Sequence, residues 1–270
     1  MLGLQLAEKE RIFLANPFPA IMLKIRDITS KKPSIQIITI AFNNLETIIT
    51  QSKYLKKYLL DNYQYIVCDN STNKDISKKI AKFCHQNRIS YVRLLGNPQN
   101  GHEASRSHAL SLNWAWRHIV KQSRPRYFGV IDHDIFPIKK TTILDKLSKN
   151  RIYGHIQYRG KKWYLWPGFS FFDKQYLDHK KLDFSPVKGL DTGGANWVSI
   201  YSHVRQSTLD IPSHTYIKYR DGDVVQNTSV EKIGDWLHLM NASGWKDGKK
   251  KSNIQAIISK VLHADRKIKQ

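Results

Sequence analysis

Residues 128–136 read FGVIDHDIF, in which Asp132 and Asp134 follow an apolar run and stand one residue apart. Two carboxylates at that spacing, projecting from a turn at a strand end, can share a hard divalent cation directly or through water. Such a cation neutralises charge on a departing diphosphate. The plain alternative is an Asp-rich turn that caps the next element. His133, between the two, is expected to point away. A second acid, Asp69, closes the run YQYIVC and opens the cluster Asp69-Asn70-Ser71-Thr72. That cluster forms turns and also suits a helix N-cap.

The elements that must hold these acids follow from hydrophobic pattern. Residues 35–42 (IQIITIAF) form a nearly continuous apolar run that suits a strand buried on both faces. Residues 63–68, 90–95 and 127–131 predict three more strands, and helix-like spacing fills 45–60, 74–86 and 103–120. Strand and helix alternating in this way predict an α/β fold: a Rossmann-like, mostly parallel sheet with helices on both faces. Ligands of such sheets sit beyond the carboxyl ends of the strands. There the chain places Asn43-Asn44, Asp69-Asn70-Ser71 and Asp132-His133-Asp134. After Asp134 the pattern turns aromatic, predicting strands at 153–158, 163–166 and 168–172, a helix from Asp191 through Trp197, Ile200 and Val204, and strands at 216–219 and 236–240.

Ordered along the chain, TIAFNN, VCDNST, NGHEASRSHAL and GVIDHDIF resemble the nucleotide-sugar glycosyltransferases of the A-type fold, especially glycosyltransferase family 2. The likeness covers about residues 35–140, with looser support to 240. It implies a GT-A-like single domain spanning 35–245. Residues 35–140 would form its nucleotide-sugar half and 141–245 a smaller, aromatic-rich acceptor half. A 1–34 extension precedes it and a basic 246–270 helix or tail follows.

The resemblance also implies roles. Ala41 and Asn43 would line the nucleoside pocket, and Asp69 would accept from the imide N–H of uracil or thymine. An ionised carboxylate accepts and does not donate, which suits that base edge; a helix N-cap remains the alternative. Arg106 would approach the base or diphosphate, or else be a solvated helix arginine. Ser107 stands where the family has Asn. Asp134 would touch the metal, Mn²⁺ or Mg²⁺, and Asp132 the ribose or a metal-bound water. His238 in DWLHLMNAS is the candidate third ligand, with His263 a rival. Asp191 is the expected base for inverting transfer, with an N-cap as its alternative. The family's acidic pair is absent, and in a retaining enzyme Asp191 would bind the acceptor instead. Gly193 and Gly194 let backbone approach a sugar. In YLWPGFSFF, Trp166 is an expected sugar platform beside Gly168, as is Trp197 further on; Phe169, Phe171 and Phe172 read as core.

Composition sets the limits. The 270 residues carry 44 Lys and Arg against 22 Asp and Glu, a formal +22, with 41% hydrophobic and 11% aromatic content. That apolar share excludes a disordered chain. Cys68 and Cys84 have neither CxxC spacing nor metal-ligand company, so a reduced, cytoplasmic setting is expected. The N-terminus lacks the uninterrupted apolar core of a signal peptide or span. The leading expectation is a metal-dependent transferase taking a UDP- or dTDP-sugar to a hydroxyl of a glycan or lipid-linked saccharide. Its basic tail would hold it at the inner face of an anionic membrane. The alternatives are a nucleic-acid-binding protein or metal-dependent nuclease, and a peripheral membrane adaptor. Dispersed lysines and the lack of a nucleic-acid motif speak against nucleic acid.

Overall fold

In a computed structural model, residues 2–26, 32–217, 230–240 and 258–259 are described. All seven residues of β1 (Ile35–Ala41) are buried, as a central strand covered on both faces must be. It pairs in parallel with β2 (Tyr63–Asp69) and with β4 (Tyr127–Ile131), and β2 with β3 (Ser90–Arg93). After β5 (Ile135–Pro137), strands β6 (Ile152–Arg159) and β7 (Lys162–Asp173) extend the sheet on its antiparallel side, giving the order β3-β2-β1-β4-β7-β6. Apolar clusters lie on both faces of this sheet. The mostly parallel α/β architecture expected from the alternating pattern is therefore present.

The crossover helices begin where their caps stand. Following α1 (Leu2–Ala15) and α2 (Phe18–Arg26), α3 (Leu45–Tyr58) starts at Asn44, whose side chain accepts from the Glu46 and Thr47 amides. Asn73 does the same for α4 (Lys74–Gln86), so the cap expected within 69–72 sits one residue later. The helix expected over 103–120 is α5 (Ala104–Ala115) continued by a π-helical turn, Trp116–Val120.

Two regions depart from the sequence pattern for local reasons. Helices α1 and α2 occupy the 1–34 extension, for which no element was expected, with Pro17 between them and Pro19 in the first turn of α2. Proline is tolerated at a helix start, and the pair packs down through Phe13, Ala20 and Leu23. Trp114 Nε1 of α5 donates to Asn16 O at 2.8 Å. The helix expected from Asp191 to Val204 does not form. After α6 (Leu144–Asn150) and α7 (Lys174–Leu177), only the short α8 (Asn196–Ser199) and a 3₁₀ turn at Tyr201–His203 occur there. Gly193 has φ +87°, outside the helical region, and a Cβ on it would come within 2.7 Å of Pro167.

A second, antiparallel sheet has the order β5-β10-β9-β8, built from β8 (His214–Ile217), β9 (Val230–Ile233) and β10 (Trp236–Leu239). The strand expected at 216–219 thus begins at His214, and its last two residues lie outside the described ones. So do His263 and all of the 246–270 tail except 258–259, where Ile258 is buried in the cluster that includes Tyr54, Phe136 and Leu237. No helix among the described residues is long and apolar enough to cross a membrane. Cys68 and Cys84 are free and buried, and burial pushes both thiols up to about 12.

Candidate active site and metal centre

The turn after β4 is held from three sides. Asp132 N donates to Gly168 O of β7 at 2.9 Å, and Ile135 N closes the turn onto Asp132 O at 3.1 Å. From α3, Gln51 Nε2 donates to Asp132 O at 2.7 Å and Ile135 O at 2.6 Å, while its own Oε1 accepts from Tyr65 at 2.5 Å. From β10, Leu239 N donates to Asp134 O at 3.0 Å. The two aspartates thus stand on a main chain fixed by α3, β7 and β10. Gly168 has a further function: a Cβ there would fall 2.0 Å from the Trp166 ring.

Strand β10 places His238 opposite Ile135 of β5. Its Nε2 lies 3.4 Å from Asp134 Oδ1. One ligand atom each from Asp132, Asp134 and His238 fall within 4.8 Å of one another. Two carboxylate oxygens suit a hard divalent cation, and the imidazole nitrogen favours a transition ion such as Mn²⁺ over Mg²⁺. The residues expected to hold a metal are brought together by the fold.

Behind His238, Nδ1 lies 2.5 Å from Glu231 Oε1, and the other Glu231 oxygen lies 2.6 Å from His214 Nε2. Burial alone would lower the His238 pKa, but the Asp134 charge, hydrogen bonds to Asp134 and Glu231 and the Asp132 charge raise it to about 10. Burial would raise Glu231; hydrogen bonds from His238 and His214 and their charges overcome it and hold that carboxyl below the ordinary range. His155, half-buried beside His214, has its pKa driven down to about 4 by desolvation. It sits where β6 slips register against β7, a bulge that aims it into the site.

These groups line a cavity of about 1130 Å³ beyond the carboxyl ends of β1, β2 and β4. Asp191 lines it too, with Oδ1 accepting from Thr192 N at 2.7 Å; Thr192 Oγ1 in turn bonds Ser105 O. Trp166 forms part of the wall. His133, expected to point away, is a wall residue instead: its Nδ1 lies 3.1 Å from Ile40 O, turning the ring inward. His108 Nε2 lies 3.4 Å from Asp132 Oδ1.

Other expected site residues stand elsewhere. Asp69 is fully buried and outside the cavity lining. It accepts from Ser77 Oγ at 2.5 Å, Tyr91 OH at 2.7 Å and Ser71 N at 2.9 Å, and pairs with Arg93 at 3.2 Å. Its neighbour Asn70 is the cavity residue. Ala41 is buried, and the Asn43 side chain is engaged with Thr72 and the Asn73 amide, tying the β1 and β2 loops together. Arg106 turns outward to Glu10 of α1 at 3.1 Å. Trp197 packs against the core, edge-on to Trp163 at 6.4 Å. Gly193 and Gly194 fit close against Pro167 and Leu190. Glu231, His214, His155 and His108 went unnoticed in the sequence because nothing in their local spacing marks them; their strands and helix meet only in the fold.

No protein-family profile and no curated protein sequence matches the chain. Solved structures resemble it in part. The mannosyltransferase PcManGT from Pyrobaculum calidifontis, in complex with GDP-Man and Mn²⁺, aligns at TM-score 0.39 and 13% identity over 64% of this chain and 58% of that one. S. aureus TarS 1-349 in complex with UDP-GlcNAc aligns at 0.39 and 14% over 56% and 48%. The mannosyltransferase Ktr4p from S. cerevisiae aligns at 0.38 and 12% over 65% and 67%. The chain thus spans 58% of the first of these structures and about half of the second.

Proposed function

We propose that this protein is a metal-dependent glycosyltransferase that moves a sugar from a nucleoside-diphosphate sugar, UDP- or dTDP-linked, to a hydroxyl of a glycan or lipid-linked saccharide. The observation that carries the reading is the convergence of Asp132, Asp134 and His238 in one cavity with Asp191. A divalent ion held by the three ligands would offset charge on the departing diphosphate. Asp191 would take the proton of the acceptor hydroxyl in an inverting displacement. Asn70 and Asn100, which line the cavity past β2, would face the nucleoside in place of the inward Asp69.

Acceptor recognition falls to aromatic rings. Trp166 lies in the wall, and Tyr158 and Tyr216 are 58% and 64% exposed at residues that line the same cavity. Exposed rings in a polar cleft suit the C–H faces of sugars. Nucleic acid is disfavoured: among the described residues lining the cavity, Arg159 is the one Lys or Arg, whereas a phosphate-backbone groove gathers many. The charge of +22 would instead draw anionic donors and a membrane-borne acceptor toward the protein.

Thermal denaturation with UDP tests the reading. A shift is expected with Mn²⁺ present, absent with EDTA and absent in Asp134→Ala. Asp191→Asn should keep that shift while lowering kcat by about 10²–10⁴. Absence of any shift with any nucleoside diphosphate would refute the reading.

A further inference from the structure

We propose that Glu231 is a positioning residue that clamps His238 toward the metal; this rests on the reading above and assigns a purpose to the second sheet. Glu231 touches no reacting atom and meets the ligand set only through His238 Nδ1, the ring nitrogen opposite the one that faces Asp134. Its partners define its task. On β9 it stands directly across from His238 on β10, and directly opposed side chains of an antiparallel pair lie close enough to interact. Glu231 Oε1 lies 2.5 Å from His238 Nδ1, and a carboxylate only accepts, so Nδ1 carries the hydrogen. The opposite nitrogen, Nε2, faces Asp134 Oδ1 at 3.4 Å and is the one a cation would take in exchange for its proton.

The clamp is itself held. Glu231 Oε2 meets His214 Nε2 of β8 at 2.6 Å, so both oxygens are engaged and the carboxylate cannot swing away from His238. On another side the Trp166 ring lies 4.8 Å from the His238 ring, in space that glycine at 168 leaves open. A buried carboxylate is costly without such partners. Glu231 is 5% exposed, and its burial is tolerated because two imidazoles face it. A carboxylate behind a metal-bound histidine fixes the tautomer and ring orientation and raises ligand basicity, and its loss weakens metal affinity by about 10–100-fold.

Mn²⁺ binding to the full chain, followed by the EPR signal of the free ion, reads the clamp without turnover. Glu231→Ala should weaken Mn²⁺ binding by about 10–100-fold. Glu231→Gln, isosteric but uncharged, should fall between that variant and the wild type. His214→Ala frees the second Glu231 oxygen but leaves the Glu231–His238 contact available, so it should weaken Mn²⁺ binding less than Glu231→Ala does. A merely structural Glu231 would lower the melting temperature and leave the Mn²⁺ affinity of the folded protein unchanged. Should Glu231→Ala not fold, Glu231→Gln decides: wild-type affinity there overturns the clamp. Failure of the wild type itself to bind Mn²⁺ overturns the metal-site reading and the clamp with it, whereas binding lost in Asp134→Ala and kept in both Glu231 variants overturns the clamp alone.

Discussion

Asp69 and Asp134 begin alike: each follows a buried parallel strand, and each is nearly inaccessible, at 0% and 5% exposed. Their surroundings differ in kind. Asp69 is met by donors: a serine hydroxyl, a tyrosine hydroxyl, a backbone amide and the Arg93 guanidinium. Asp134 stands near a second acid and a histidine that has its own acid behind it. Donors saturate a carboxylate and make it part of the scaffold. Two carboxylates around one imidazole mark a point where a cation could replace the ring's proton. On the proposed function, the same local signature serves structure at one strand end and chemistry at the other.

The largest effect that would test this contrast is at Asp134. Asp134→Asn is expected to reduce turnover by about 10³-fold, since a metal contributes several kcal/mol to the transition state, with metal-dependent UDP binding lost by calorimetry. Its fold should survive, because His238 can shed its proton when its partner goes. Asp69→Asn should do the reverse. It leaves Arg93 charged, as guanidinium always is, and removes a buried acceptor, so unfolding in urea should show a loss of about 3 kcal/mol. Mn²⁺ affinity of the folded Asp69 variant should match the wild type; equal stability in the two variants would erase the distinction.

A smaller effect concerns pH. In the metal-free protein the pKa of His238 rises from 6.5 to about 10, so its pairing stabilises the fold fully below about pH 6.5, and that contribution is lost as pH rises through 10. The metal needs the neutral ring, so it competes with that proton. Mn²⁺ affinity should climb with pH across this window, by up to about tenfold per unit, and a flat profile would remove His238 from the ligand set. The smallest effect is expected at Arg106. Its pair with Glu10 is half exposed, so Arg106→Ala should cost under about 1 kcal/mol and leave UDP affinity unchanged.

Much of this arrangement was legible beforehand. The apolar runs ending at Ala41, Asp69 and Ile131 marked parallel strands, and the aspartates and His238 of the metal triangle were readable as candidates. What was not legible was company. Arg106 had the look of a phosphate ligand until α1, for which no element was expected, supplied Glu10. Trp197 had the look of a sugar platform until the loop around Gly193 turned it onto Trp163. Glu231 and His214 carry no local pattern, because their meaning comes from cross-strand pairing in the second sheet.

By itself, the sequence determined which segments bury both faces and which short polar turns end them, since hydrophobic period and turn chemistry act over a few residues. Only the tertiary structure decided which partners each acid receives: hydroxyls, an amide and a guanidinium for Asp69, an imidazole beside a second acid for Asp134. That choice depends on groups far apart in the chain, Ser77 and Arg93 for Asp69, His238 for Asp134, and an ionisable group takes its role from the charges packed against it.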